Sequence, residues 1–218
     1  MKRIATSSLV GLSALVIAAS NASAQMCNGT ASFSAGRMRA GVGLSFGDGY
    51  STIDGEFAYG ARSGLYGGAT LNLIDYENTT ESATGFGLNG GKAMLIGTAK
   101  KVEMCPQVVL NFSSGPNVGT TEISSSSLGA GVSFGTLMNA STSFDLVPFG
   151  GAFIRRNAME VTNGTTTAED SDVDLDLAVG AGFVFGKKWT LRPAISIPVT
   201  ADGADPVFQI MGSLNFGK

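Results

Sequence analysis

Across residues 36–46, Gly-Arg-Met-Arg-Ala-Gly-Val-Gly-Leu-Ser-Phe, apolar and small or polar positions alternate strictly. Met38, Ala40, Val42, Leu44 and Phe46 share one side of an extended chain, and Arg39, Gly41, Gly43 and Ser45 share the other. A period of two with one greasy and one polar face describes a strand lying between two different environments. The pattern recurs along the chain and predicts strands at 36–46, 51–60, 64–74, 84–97, 102–113, 127–138, 144–156, 172–185, 189–198 and 206–216. Each is about as long as the 9–11 residues that a tilted strand needs to cross a bilayer.

The connections alternate as well. Short turns such as Ala61-Arg62-Ser63, Ala99-Lys100-Lys101 and Gly186-Lys187-Lys188 take turns with stretches at 75–83, 114–126 and 157–171, which are rich in Ser, Thr, Asn and acids. Short turns on one side and long loops on the other characterise transmembrane barrels. The predicted fold class is therefore all-β: a closed antiparallel up-and-down transmembrane β-barrel of about ten strands, with eight to twelve possible.

The N-terminus sets the compartment. Lys2 and Arg3 precede an apolar run from Leu9 to Ala19 that ends in Ala22-Ser23-Ala24. This is the pattern of a signal peptide cleaved after Ala24. The predicted organisation is a leader at 1–24, a periplasmic linker at 25–35 and a single barrel domain at 36–218. Removing the leader takes two of the 14 basic residues and no acid, so net charge falls from −3 to −5. That balance argues against nucleic acid as a partner. Only 14% of residues are charged, against about 25% in a typical soluble domain, which favours an outer surface in contact with membrane lipid.

Cys27 and Cys105 are the only cysteines, and an exported chain meets an oxidising compartment. They are expected to pair. Cys27 precedes the first strand and Cys105 begins the fifth, so the topology puts both on the short-turn side. Gln25 and Met26 before Cys27 do not fit a lipidation signal, and no Cys-x-x-Cys motif supports redox chemistry. Aromatic residues fall near strand ends in two sets: Tyr59, Phe134, Phe185, Trp189 and Phe216 toward the periplasm, Phe46, Phe112 and Phe208 toward the outside. Such girdles mark membrane interfaces.

On these features residues 36–216 resemble the small outer-membrane β-barrel proteins of Gram-negative bacteria. The closing segment from Val207 to Phe216 is similar to the C-terminal signal such barrels present to their assembly machinery, although Gly217 and Lys218 follow the final aromatic. The resemblance implies an outer-membrane location, with lipid and that machinery as partners.

The chain contains no histidine, which removes Ser-His-Asp hydrolysis, imidazole base catalysis and the usual zinc sites. The enzymes known among small barrels use a histidine, so none of their activities transfers. Gly85-Phe86-Gly87-Leu88-Asn89-Gly90 matches a dinucleotide fingerprint in letters only, because no helix pattern follows it. No enzyme activity and no cofactor are expected.

Asp170, Asp172, Asp174 and Asp176 alternate opposite Val173, Leu175 and Leu177 and so point inward, with Arg156 expected across from Asp172. An EF-hand loop would need Gly where Leu175 stands and a closing Glu, so a solvated acidic mouth is the reading rather than a metal site. Asp54, Glu56 and Arg192 complete the charged lining. The other inward positions are mostly glycine, which leaves two outcomes open: a narrow cation-leaning passage, or a filled lumen in which glycine serves close packing.

Three features strain the pattern. Pro148 and Pro193 interrupt predicted strands. Lys92 has lipid-facing parity, and a bulge at Gly90-Gly91 is expected to turn it inward. The expected function is a non-enzymatic structural or surface-interaction role through the external loops, whose partner the sequence does not name. The alternatives are a narrow, weakly cation-selective pore, or a soluble periplasmic barrel with its apolar face turned in around a ligand.

Overall fold

The computed structural model describes residues 26–30, 36–77, 81–97, 102–116, 121–139, 143–200 and 205–217. The leader expected at 1–24 lies outside them.

Ten long strands follow one another in sequence: β1 (Arg37–Gly47), β2 (Tyr50–Gly60), β3 (Leu65–Tyr76), β4 (Ser82–Lys92), β5 (Val102–Ser114), β6 (Thr121–Thr136), β7 (Phe144–Asn163), β8 (Thr166–Phe185), β9 (Trp189–Pro198) and β10 (Val207–Phe216). Short pieces at Met94–Ile96 and Met138–Asn139 prolong β4 and β6 in register. Each strand pairs antiparallel with its neighbours in sequence. The first and last close the ring, from Met38 opposite Phe216 to Phe46 opposite Phe208. The barrel is up-and-down and leaves no edge between β10 and β1.

The alternation resolves into an inside and an outside. Val42 is 70% exposed while Ser45 is 7% exposed; Ile53 is 58% exposed while its neighbour Asp54 is 4% exposed. The apolar parity faces out on every strand, and the polar parity faces the lumen. A barrel with its charges inside and its aliphatics outside is built for lipid. This overturns the alternative of a soluble barrel wrapped around an apolar ligand.

The strands' interior prolines all mark breaks in the ladder. Pairing of β4 with β5 stops at Gly91–Gln107 and resumes at Met94–Met104, bracketing Pro106. Pairing of β6 with β7 stops at Gly135–Phe149 and resumes at Met138–Leu146, bracketing Pro148. Pairing of β8 with β9 skips from Gly180–Ala194 to Phe183–Leu191, bracketing Pro193. A proline has no N–H to give the ladder, so each break sits where a donor is missing. All three lie toward the short-turn end of the wall.

Two expectations are corrected. The pairing of β3 with β4 runs without a bulge from Leu65–Lys92 to Asp75–Ser82. Lys92 thus stays on the outward parity beside Leu65, where the ladder with β3 ends and four residues before Ile96. There its stem can reach interfacial water, and the cost of a lipid-facing charge falls to about 0–1 kcal/mol. The segment 157–171 is not a loop. It is the outer part of a β-hairpin formed by β7 and β8, each of 20 residues, which rises about 66 Å at roughly 3.3 Å per residue. The hairpin closes in two residues, Gly164 and Thr165, between the paired Asn163 and Thr166. Gly164 has φ 60°, the positive value a tight II′-type turn requires at its first central position. Residues 121–127 of β6 pair alongside this hairpin, so a three-stranded sheet projects beyond the rim.

Candidate functional site

Ten strands about 4.8 Å apart and tilted about 40° enclose a wall radius of about 10 Å, and inward side chains narrow the bore further. The chain's own N-terminal segment enters that bore. Met26–Asn28 forms one 3-10 turn, and Met26, Cys27 and Thr30 are buried against the inner wall. The segment expected as a periplasmic linker is, over residues 26–30, a plug; residues 31–35 lie outside the described residues.

The wall is shaped to receive it. A Cβ added at Gly182 would overlap the carbonyl of Gly29, and one added at Gly135 would overlap the carbonyl of Met26. Cys27 is bonded to Cys105 on β5, with Cα atoms 6.0 Å apart. Glu103, two residues earlier on the same strand and fully buried, accepts a hydrogen bond from the Met26 N–H at 2.9 Å. With the two sulfurs joined, this carboxylate and the cysteines offer no thiolate to a metal.

Above the plug lies a charge lock. Arg39 on β1 pairs with Glu56 on β2 at 2.7 Å, and Arg192 on β9 reaches the other Glu56 oxygen at 3.0 Å. Each arginine also holds the plug: Arg192 donates to the Asn28 carbonyl at 2.9 Å and Arg39 to the Thr30 hydroxyl at 3.2 Å. Next, Asp54 accepts from Thr52 at 2.8 Å, from Asn72 at 2.6 Å and from Ser45. Nearer the long hairpin, Arg155 pairs with Asp176 at 3.1 Å, and Asn157 donates to Asp174 at 2.8 Å. Every acid in this stack has a partner, as burial demands.

A cavity of about 580 Å³ opens above these layers toward the end that bears the long hairpin, lined among others by Tyr50, Tyr76, Asn111, Arg155, Asp172 and Gln209. Its walls offer hydroxyls, amides and carboxylates, with the Ser45 and Thr52 hydroxyls both donating to Asp54.

The predicted lining residues are therefore placed as follows. Asp54, Glu56, Arg192, Asp174 and Asp176 face the lumen, each hydrogen-bonded or ion-paired there, with Arg192–Glu56 spanning non-adjacent strands. Asp172 faces the same way but stands exposed near the rim. Arg156 is a correction: it lies on the outward parity with Ile154. The tight turn sets Asn157 opposite Asp172 and Arg155 opposite Asp174, one residue away from the predicted register. Sequence reading missed Arg39, Arg155 and Glu103, all of which have inward parity in their strands. The aromatics Tyr59, Phe134, Phe185, Trp189 and Phe216 at one end, and Phe46, Phe112 and Phe208 at the other, are exposed.

An apolar exterior, a charged and hydrogen-bonded interior, and closure without edges define the class: a transmembrane β-barrel of the outer-membrane type. No family model matches the chain, and no curated protein does. Solved structures of similar shape include the β domain of the Bordetella autotransporter BrkA, with 13% identity and TM-score 0.49 over 84% of this chain and 97% of that one. The N-terminal β-barrel domain of Pseudomonas aeruginosa OprF gives 10% identity and TM-score 0.40 over 84% and 98%. Ail, the attachment invasion locus protein of Yersinia pestis, gives 11% identity and TM-score 0.41 over 84% and 99%. These likenesses assign no role to this chain.

Proposed function

We propose that this chain is a non-enzymatic outer-membrane barrel that presents the sheet of β6, β7 and β8 to the exterior while its own N-terminal segment blocks the lumen. The observation carrying this reading is the plug, stapled by Cys27–Cys105 and clamped by two arginines, where a pore would need free bore. The exposed aromatics at both ends act as interfacial girdles, and the segment from Val207 to Phe216 serves recognition by the assembly machinery. The external partner is to be sought at the projecting sheet, whose faces carry mainly Ser, Thr and acids, with Ile123, Met159 and Val161 among them.

Purified protein in planar bilayers is expected to show no discrete openings. Steady cation-selective openings from the oxidised protein would replace this reading with that of a narrow pore. Orientation is read separately: a Thr165→Cys variant in intact cells should react with a membrane-impermeant maleimide. Failure to react in cells, with reaction after lysis, would place the hairpin on the wrong side.

A further inference from the structure

Glu103 is the charged group least accounted for by its surroundings. It is fully buried on the inner wall, and among the described residues no lysine or arginine forms an ion pair with it. One backbone N–H, from Met26, donates to Oε2 at 2.9 Å. Oε1 lies 3.9 and 3.7 Å from the sulfurs of Cys27 and Cys105, which carry no proton once joined. A carboxylate withdrawn from water needs a counter-charge or several donors, and a single amide is too little. Glu56, in the same lumen, has two arginines.

The missing charge is one peptide unit away. Cleavage after Ala24 makes Gln25 the first residue and turns its backbone nitrogen from an amide into a primary ammonium. Covalent geometry holds that nitrogen within about 4 Å of the Met26 nitrogen, which itself touches Glu103. We propose that Glu103 is the binding site for the chain's own new α-ammonium, so that removal of the leader creates the cation that the barrel wall is built to receive. The Cys27–Cys105 bond, two residues along, fixes the approach. A charge-assisted bond then replaces an uncompensated buried charge, and the plug seats fully only in the processed chain. This goes beyond the proposed function, since it holds whatever the projecting sheet binds, and it rests on cleavage after Ala24.

The test uses mature protein purified from membranes, with its N-terminus fixed by intact mass. The α-amine is acetylated with an N-hydroxysuccinimide ester at neutral pH, folded and urea-unfolded, in the wild type, Glu103→Gln and Glu103→Asp. We expect labelling at least tenfold slower in the folded wild type than in the unfolded chain. Glu103→Gln should come within about twofold of the unfolded rate, and Glu103→Asp should fall between. A refolded chain with one glycine added before Gln25 keeps Glu103 but displaces the ammonium, and should lose the protection too; this arm stands even if Glu103→Gln does not fold. Equal rates in folded and unfolded wild type would overturn the proposal. So would equal protection in Glu103→Gln or in the glycine-extended chain, which would indicate burial alone. A first residue other than Gln25 would also overturn it. So would a lactam formed by attack of the amine on the Gln25 side-chain carbonyl with loss of ammonia, because that reaction consumes the free amine.

Discussion

The α-carbon of Gly182 on β8 backs directly onto the carbonyl of Gly29 in the plug, with no room between them for a methyl group. Gly135 on β6 stands in the same relation to Met26. Farther along, Gly180 and Gly131 leave space for the inward rings of Phe149 and Phe153. These four inward glycines make room for rings and for a piece of the chain's own backbone.

Substituting Gly182 or Gly135 with Val should push the plug from its seat while leaving the strands closed. Overpacking of this kind costs about 1–3 kcal/mol, and here the backbone that must yield is the plug's. The expected readout is the appearance of discrete openings in planar bilayers and a lower yield of the Cys27–Cys105 bond on non-reducing gels. A Gly182→Val protein as silent and as fully oxidised as the wild type would show that the seat is not occupied.

Glu56 stands between Arg39 and Arg192, at 2.7 and 3.0 Å. Glu56→Gln leaves two buried guanidinium groups facing one another without an acid. Removing one partner of a buried ion pair costs about 3–5 kcal/mol. The midpoint of urea unfolding in lipid vesicles should drop accordingly, whereas Asp172→Asn at the exposed mouth should leave it unchanged. If the two variants unfold alike, the lumen is wet enough that its charges need no pairing.

The spanning strands were legible because their two faces meet different surroundings, so the side-chain period shows in the letters. All ten appear within a few residues of their predicted places. The outer parts of β6, β7 and β8 were not legible, because both of their faces meet water; Ser124 to Ser126 and Thr165 to Thr167 read as loop by composition. A tight turn at Gly164 then shifted the expected register by one residue, which exchanged Arg156 for Arg155 at the lumen. The plug left no periodic trace, since five residues make a single turn. Its signals were the cysteine before the first strand and Glu103, an acid at an inward position beside the second cysteine.

The projecting hairpin is held by its own ladder and is dispensable for closure of the barrel. Replacing residues 158–171 with an Asn-Gly turn should preserve the heat-dependent shift in gel mobility and the disulfide, because the closing pairs of β1 with β10 do not involve β7 or β8. Any binding of the protein to cells or matrix should fall at least tenfold with this deletion. Undiminished binding by a folded truncated protein would move the interaction surface away from the hairpin.

Trp189 is the only tryptophan in the chain, which makes the outer wall accessible to a single spectroscopic probe. It begins β9 at the short-turn end, 60% exposed, and pairs with Phe185, whose ring is tilted against that of Phe144 at 6.0 Å. An indole at that height and facing outward belongs at the headgroup boundary, with its ring in hydrocarbon and its N–H in reach of water. In vesicles of brominated lipid, its fluorescence should be quenched more by bromines near the glycerol backbone than by bromines near the chain ends. The contrast should reverse for Ile154→Trp placed in the Trp189→Phe background, because Ile154 sits on the outward face within the apolar band. Absence of quenching at both positions would mean that the apolar belt does not meet lipid at all, and deep quenching at Trp189 would shift the strand's position across the membrane.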